Sequence, residues 1–293
     1  MSLAQQIGRA GETAVAREPD DFAHHVRGEN RRVRWRRIWR GAAGIFAILL
    51  GWQVMSSALD LQLLLPPPLT VLRNVIVTLA VPDNHWLYGP NIYVHLSHSF
   101  LRAMAGFCSA ALVAIPLGLV LGRIVTLREF VLPVIKVIYP IPGIAWIPLA
   151  ILWFGLGDAA VIFVVFATTF FPLFFSTEAG ARLISPVILD AGRCFGARGV
   201  TLFFRVVLPA TVPYIITGLR IGLGGAWRMI VAGEMLASQD GIGYFLMESR
   251  FQFKAVDLMT AMILIAIVGY ATEKLIVDTI EKRTLEKWEV QPG

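Results

Sequence analysis

The sequence predicts an all-α membrane protein with six transmembrane helices. Of its 293 residues, 56% are hydrophobic and 16% are charged, whereas soluble domains carry about 25% charged residues. The mean hydropathy is +0.67, and the apolar residues are gathered into long runs with few charges. This composition excludes a disordered chain and an ordinary soluble enzyme.

Six apolar runs are long enough to cross a bilayer, which takes about 20 helical residues. They are residues 41–59, 103–122, 137–157, 159–177, 208–234 and 258–272. The third run is interrupted by prolines and is expected to begin near Phe130, and the fifth contains Arg220 and Arg228. The predicted divisions are a basic cytoplasmic tail (1–40), a first span (41–59), an outer segment (60–99), a five-helix core (100–280) that includes the loop 178–207, and a cytoplasmic C-terminal tail (281–293).

The basic residues predict how the chain is oriented. Nine arginines lie in the first 40 residues, and if that end is cytoplasmic, 19 of the 26 lysines and arginines fall in cytoplasmic segments. An excess of lysine and arginine is typical of the loops that stay in the cytoplasm. We therefore predict that both termini are cytoplasmic, and we attribute the net charge of +6 to membrane orientation rather than to nucleic-acid binding.

The histidines and cysteines do not indicate a metal or haem site. All five histidines lie outside the predicted spans, which argues against a membrane redox subunit with bis-histidine haem. His95 and His98 are three residues apart, but no cysteine or carboxylate cluster accompanies them, so we predict surface histidines rather than metal ligands. We expect Cys108 and Cys194 to be free thiols.

The longest predicted cytoplasmic loop, residues 178–207, carries the most specific pattern. Its spacing predicts a short helix, a break at Gly196, and a second helix that leads to Pro209, because proline fits the first turn of a helix. An ordinary surface helix at the membrane is the alternative. The residues that we assign to this loop are Asp190, Ala191, Gly192, Arg193, Phe195, Gly196, Arg198, Leu208 and Pro209.

This loop resembles the "EAA" loop of ABC importer permeases, which reads Glu-Ala-Ala, three residues, Gly, nine residues, Ile-x-Leu-Pro. The spacing matches throughout, with Asp190 in place of Glu, Gly192 in place of the second Ala and Val206 in place of Ile. Segments such as Trp146-Ile147-Pro148-Leu149 and Gly241-Ile242-Gly243-Tyr244 are similar to the nitrate, sulfonate, taurine and bicarbonate branch. The resemblance implies a type I importer fold in which this loop docks on an ATP-binding subunit.

The same resemblance implies the partners and the function. The chain contains no Gly-x-x-x-x-Gly-Lys-Ser/Thr phosphate loop, so ATP and Mg²⁺ are expected on separate ATP-binding subunits at the cytoplasmic face. An extracytoplasmic binding protein and a second permease copy, as a homodimer, are also implied. We therefore expect a non-enzymatic, multi-pass inner-membrane subunit that imports a small, anionic solute by alternating access. The alternative is a stand-alone secondary transporter or channel for a small anion, which would not need the coupling loop.

The charged residues of the fifth span predict a translocation pathway. At 100° per residue, one face of this helix carries the small residues Gly218, Gly222, Gly225 and Ala232. The opposite sector carries Arg220, Trp227, Arg228 and Glu234. Because an arginine at the bilayer centre costs roughly 2.5–3.5 kcal/mol on insertion scales, we expect this sector to face the pathway. A structural ion pair, with a carboxylate such as Glu234, is the alternative. Further pathway candidates are Tyr139, Trp146 and Thr168.

Overall fold

A computed structural model describes residues 39–58, 64–81 and 91–285. Most of the predicted basic tail (1–40) and the last residues of the C-terminal tail lie outside this part of the chain. The first predicted span is a helix, α1 (Trp39–Ala58), which belongs to a separate structural unit that ends at Pro68. Within that unit, the Ser56 hydroxyl donates a hydrogen bond to the Leu65 carbonyl oxygen, 2.6 Å away.

The rest of the described chain is also helical, and the described residues contain no β-strand. The helices are α2 (Pro68–Ala80), α3 (Ile92–Arg123), α4 (Val125–Ile138), α5 (Ile147–Phe154), α6 (Asp158–Arg182), α7 (Pro186–Cys194), α8 (Gly199–Leu202), α9 (Leu208–Ala237), α10 (Ile242–Phe251) and α11 (Ala255–Leu285). Five helical stretches are long and apolar enough to span a membrane, and the bent pair of α4 with the segment through α5 counts as a sixth if it forms one span. The predicted all-α membrane fold is therefore confirmed, with five or six spans among the described residues.

The third span is broken, as its prolines predict, but only two of them make the break. The segments Val125–Ile138 and Gly143–Phe154 meet at 91°, and Pro140 and Pro142 lie between them. Pro142 is extended, with ψ of 140°, and neither proline has an N–H to continue the helical hydrogen bonds. Pro133 lies inside α4, and Pro148 lies in the first turn of α5, where proline is tolerated.

The second span begins earlier than hydropathy predicts. Helix α3 starts at Ile92 rather than near residue 103, and the Asn91 side chain accepts a hydrogen bond from the Tyr93 N–H at 3.0 Å, which caps the helix. The added turns carry His95, Ser99 and Arg102, all buried. These polar residues lower the local hydropathy although their side chains are inside the protein.

Helix α6 is packed between α3 and α9, and glycines on both neighbours permit the close approach. On α3, a Cβ at Gly106 would lie 2.7 Å from the Val165 Cβ, and one at Gly118 would lie 2.8 Å from the Thr177 Cβ. Such contacts are tighter than side chains allow, so only glycine fits. Small residues serve the same purpose wherever membrane helices pack closely.

The predicted glycine face of the fifth span packs against α6. A Cβ at Gly218 would lie 2.9 Å from the Leu173 Cδ1, and one at Gly222 would lie 3.0 Å from the Thr169 Cγ2. Leu173 and Thr169 are fully buried. The core that positions the charged sites is therefore the α3–α6–α9 sandwich, with α10 and α11 packed beside α9.

Candidate functional site

The predicted coupling segment consists of α7, a glycine turn and α8. Gly196 follows the last turn of α7 with φ of +84°, a left-handed conformation that suits glycine. The Gly196 N–H donates to the Arg193 carbonyl at 2.9 Å, and the Ala197 N–H donates to the Gly192 carbonyl at 3.0 Å. This pair of bonds is the Schellman arrangement that ends helices, so the break at Gly196 is confirmed.

One face of the coupling segment is attached to the core, and the other is open. Leu189 is buried with Ile184 and Val207, while a Cβ at Gly192 would lie 2.9 Å from the Val206 Cγ2. On the open side, Phe195 is 92% exposed. An aromatic side chain this exposed, on a short helix with its own cap, offers an apolar contact for a partner.

The remaining loop residues also occupy the places that their pattern predicts, with one difference at each end. Asp190 and Arg193 form an exposed ion pair at 2.7 Å, Ala191 and Arg198 are exposed, and Leu208 and Pro209 begin α9. Residues Phe203–Val207 form a π-helical turn rather than a continuous α-helix. At the other end, Glu178 lies within α6 rather than in a loop, with its Oε1 2.7 Å from the Arg128 Nε.

At the opposite ends of α6 and α9, a buried carboxylate joins three helices. Glu234 is completely buried. Its carboxylate accepts hydrogen bonds from the Ser99 hydroxyl at 2.8 Å, the Arg102 Nη1 at 3.0 Å and the Gly243 N–H at 2.9 Å. This geometry differs from the prediction that Glu234 faces the pathway, because the side chain is bonded within the chain.

Arg102 is the centre of this group, which we call the outer cluster (Ser99, Arg102, Asp158, Glu234 and Asp240) after the side of the membrane on which the sequence predicts it. Its Nε donates to Asp158 at 2.8 Å, its Nη1 to the Asp240 carbonyl at 3.0 Å and its Nη2 to the Asp240 carboxylate. Partial burial alone would raise the pKa of Asp240, but the hydrogen bonds from Arg102 and His98 outweigh it and hold that pKa below its usual value. Asp240 is therefore a carboxylate at neutral pH.

The outer cluster also anchors the start of α10. The N–H groups of Gly241, Ile242 and Gly243 are bonded in turn to the His95 Nδ1 at 2.9 Å, the Ser99 hydroxyl at 2.8 Å and the Glu234 carboxylate. The first N–H groups of a helix lack partners within it, and here side chains from α3 and α9 supply them. The prediction of surface histidines is wrong for His95, which is fully buried.

The two arginines of the fifth span have different environments. The Arg220 Nη2 lies 3.2 Å from Asp278 and 2.5 Å from Glu281, both on α11. Arg220 thus has the carboxylate partners that the structural alternative requires, although they are not Glu234. Arg228 is exposed and has no hydrogen bond or ion pair within the described ranges. A pathway role for either residue stays a prediction.

The aromatic and hydroxyl pathway candidates are largely engaged in packing. Trp227 is buried, and the partly buried Trp146 packs against the core. The centre of the Tyr139 ring lies 5.0 Å from that of the Phe175 ring. Thr168 donates to the carbonyl four residues earlier, that of Val164, at 2.9 Å, as serine and threonine often do in helices. Their pathway roles stay predictions.

Comparison with known proteins identifies the family. Residues 114–286 match the family described as "Binding-protein-dependent transport system inner membrane component". The chain belongs to this family. It is therefore a transport permease of the inner membrane and not an enzyme, and the predicted resemblance of the chain to ABC importer permeases is confirmed.

Two named relatives lie in the branch that the sequence predicts. The permease is 35% identical to the taurine transport system permease protein TauC of Escherichia coli (strain K12), over 83% of this chain and 90% of the relative. It is 31% identical to the nitrate import permease protein NrtB of Synechocystis sp., over 82% of this chain and 87% of the relative. Both are similar over most of their length.

A solved structure has the same fold. A chain from an inward-facing structure of the MetNI methionine ABC transporter superposes with a TM-score of 0.52 at 19% identity, covering 73% of this permease and 98% of that chain. The fold is therefore that of an ABC transporter membrane subunit.

Proposed function

We propose that this permease imports a small oxyanion, such as nitrate, a sulfonate or taurine, that an extracytoplasmic binding protein delivers to it. Relatives at 31–35% identity are named for taurine and nitrate import, and a third at 27% identity is named a putative aliphatic sulfonates permease, from Bacillus subtilis. Nitrate and sulfonate groups share a delocalised negative charge over oxygen atoms. The exposed guanidinium of Arg228 supports an anion rather than a cation, because its planar fork matches oxygen pairs.

The proposed mechanism rests on the exposed surface of the coupling segment. Its open side presents Phe195, 92% exposed, together with the exposed residues Asp190 and Ala191. We propose that this surface docks on an ATP-binding subunit, which holds the ATP and Mg²⁺. Closure of two such subunits on ATP would displace α7, and thereby α6 and α9, so that the permease alternates between inward- and outward-facing states.

A second copy of the permease completes the pathway in this proposal. The broken third span leaves large apolar side chains exposed on α4 and α5, including Phe130, Val137 and Leu152. Lipid and a second copy together would cover such a surface. The homodimer would place two copies of α9 around one pathway, with both termini on the cytoplasmic side.

Co-purification with the cognate ATP-binding subunit tests the coupling surface. We expect Phe195→Ser to reduce the amount of ATP-binding subunit recovered with the permease. The matched control is Phe253→Ser, which changes an aromatic residue that is also exposed but lies beyond α10. Equal recovery with both variants would contradict the docking proposal, and anion import without any ATP-binding subunit would favour a stand-alone transporter.

The orientation has an independent test in a native thiol. Cys194 is free and exposed at the end of α7, which we propose to be cytoplasmic. A membrane-impermeant maleimide should therefore label a Cys108→Ala variant in inside-out vesicles and not in right-side-out vesicles. The opposite labelling pattern would invert the proposed orientation.

A further inference from the structure

Arg228 is the one arginine of the three packed spans, α3, α6 and α9, that lacks a bonding partner within the described parts of the chain. Arg102 is held by three carboxylates, and Arg220 by carboxylates on α11. Arg182 lies 3.2 Å from Glu178, and Arg123 donates to the Ala181 carbonyl at 3.3 Å. Arg228 therefore carries a positive charge that this chain leaves unneutralised.

The position of Arg228 in the span makes this charge costly. Arg228 lies nine residues before Ala237, the last residue of α9, which places it about 13 Å from that end of the helix. An arginine at such depth faces lipid only at a cost of a few kcal/mol, and ionisable residues inside spans usually face a bundle interior or a water-filled cavity. The exposed side of α9 that carries Arg228 is therefore expected to be in contact with water when the permease is assembled.

Arg228 stands on a continuous open stripe of α9. Thr217, Ile221 and Gly224 fall within about 40° of Arg228 on the helix; Thr217 and Ile221 are exposed, and a Cβ at Gly224 would meet nothing within 4 Å. The missing side chain at Gly224 leaves room one turn from the guanidinium. The stripe thus combines a single charged group with open space beside it.

We propose that Arg228 is a substrate-binding residue that holds the transported oxyanion during its passage. Along α9, Arg228 lies between the outer cluster and Arg220 with its carboxylate partners on α11. This inference rests on the proposed import of an oxyanion. The two flanking sites each contain more carboxylates than arginines, so they repel an anion, whereas Arg228 attracts it. Two N–H groups of a guanidinium bond to two oxygens of one nitrate or sulfonate group. In a homodimer, the partner copy would bring a second Arg228 to the same pathway.

The first experiment asks whether position 228 is in contact with water. It uses the complete complex in proteoliposomes, with Arg228→Cys in a Cys108→Ala, Cys194→Ser background that must itself import the anion. We expect a cationic, water-soluble methanethiosulfonate to react with the new thiol in at least one nucleotide state and to restore part of the lost import. An anionic reagent should react without restoring import. A thiol that does not react in any state faces lipid or a partner helix, which overturns the proposal.

The second experiment measures import directly, with labelled nitrate, taurine and ethanesulfonate as the probes. We expect Arg228→Gln to lower import at saturating binding protein by about tenfold or more, since hydrogen bonds to a charged group are strong. Arg228→Lys, which keeps the charge and loses the fork, should fall between this variant and the wild type. The matched control is Lys136→Gln, because Lys136 is also exposed and unpaired within the described residues; its import should stay within twofold of the wild type.

Two further outcomes separate this inference from the proposed function. If Arg228→Gln imports as fast as the wild type, the site is wrong while the importer assignment stands. If the wild-type complex assembles and hydrolyses ATP in response to its binding protein but imports none of the three probes, the oxyanion assignment is wrong and the site falls with it.

Discussion

Removing Arg102 should be among the most damaging single changes to this permease. The Arg102 side chain is 6% exposed and the Glu234 side chain is completely buried. An Arg102→Met variant would therefore leave a buried carboxylate without its cation. Breaking a buried ion pair from one side costs about 3–5 kcal/mol, and we expect a value near the upper limit because Asp158 and Asp240 lose the same partner.

Replacing Glu234 by glutamine should cost less stability than Arg102→Met, because glutamine can keep part of the hydrogen bonding of the carboxylate. In Glu234→Gln, the amide oxygen still accepts bonds from the Ser99 hydroxyl or the Gly243 N–H, and Arg102 keeps Asp158 and Asp240. We expect a loss of about 1–3 kcal/mol, the cost of unmaking a hydrogen bond to a charged group. The double variant should cost less than the sum of the single losses, by at least about 1 kcal/mol, because residues in contact are coupled.

The free energy of unfolding, measured by denaturant titration of the permease in mixed micelles, tests this reasoning. The matched control is Arg193→Gln. Arg193 and Asp190 form an ion pair of similar length, 2.7 Å, but their side chains are 56% and 65% exposed, so its loss should cost under about 1 kcal/mol. The reasoning is refuted if Arg102→Met costs no more than this control, or if the losses of the two single variants simply add.

Three further predictions follow from the glycines and from the outer cluster. Gly106→Ala places a Cβ 2.7 Å from Val165 and should lower the free energy of unfolding by about 1–3 kcal/mol, whereas Gly44→Ala, which meets nothing within 4 Å, should not lower it. Gly196→Ala forces alanine into φ of +84° and should cost about 1–2 kcal/mol and weaken recovery of the ATP-binding subunit; unchanged recovery and stability would contradict this. The lowered pKa of Asp240 stabilises the fold fully above the ordinary pKa of about 3.9 and is lost as the pH falls through the lower folded value. The thermal stability deficit of Asp240→Asn should therefore shrink below about pH 4, and a deficit that is constant from pH 7 to pH 3 would contradict it.

The sequence predicts most of the spans because membrane helices need long apolar runs, and it predicts the coupling segment because glycine and proline act locally. The φ of +84° at Gly196 and the start of α9 at Leu208 both follow from such local rules. The glycine face of α9 was also predictable from 100° per residue, and the same rule applied to α3 would have indicated the glycines at 118 and 122.

The outer cluster was not predicted, because its members meet only in three dimensions. Arg102 and Glu234 are 132 residues apart; Arg102 directly precedes the apolar run 103–122, and Glu234 ends the run 208–234. One signal was present: buried charges need partners, and Arg102 and Glu234 are opposite charges at the edges of two predicted spans. The same argument applies to Arg220, since its partners Glu273, Asp278 and Glu281 lie beyond the apolar run 258–272 that predicts the last span.

The connection between the coupling segment and the outer cluster explains how a displacement at one end would reach the other. Helix α6 leads into α7, and the turn after α8 leads into α9, so both helices begin or end at the coupling segment. At their far ends, Arg102 bonds to Asp158 of α6 and Glu234 of α9, and the Gly157 N–H donates to the Ala237 carbonyl at 2.7 Å. Glycine contacts join the two helices between these ends. Because they are fastened at both ends and along their length, α6 and α9 are expected to move as one unit. A displacement of α7 should therefore tilt the open stripe of α9 rather than separate the helices.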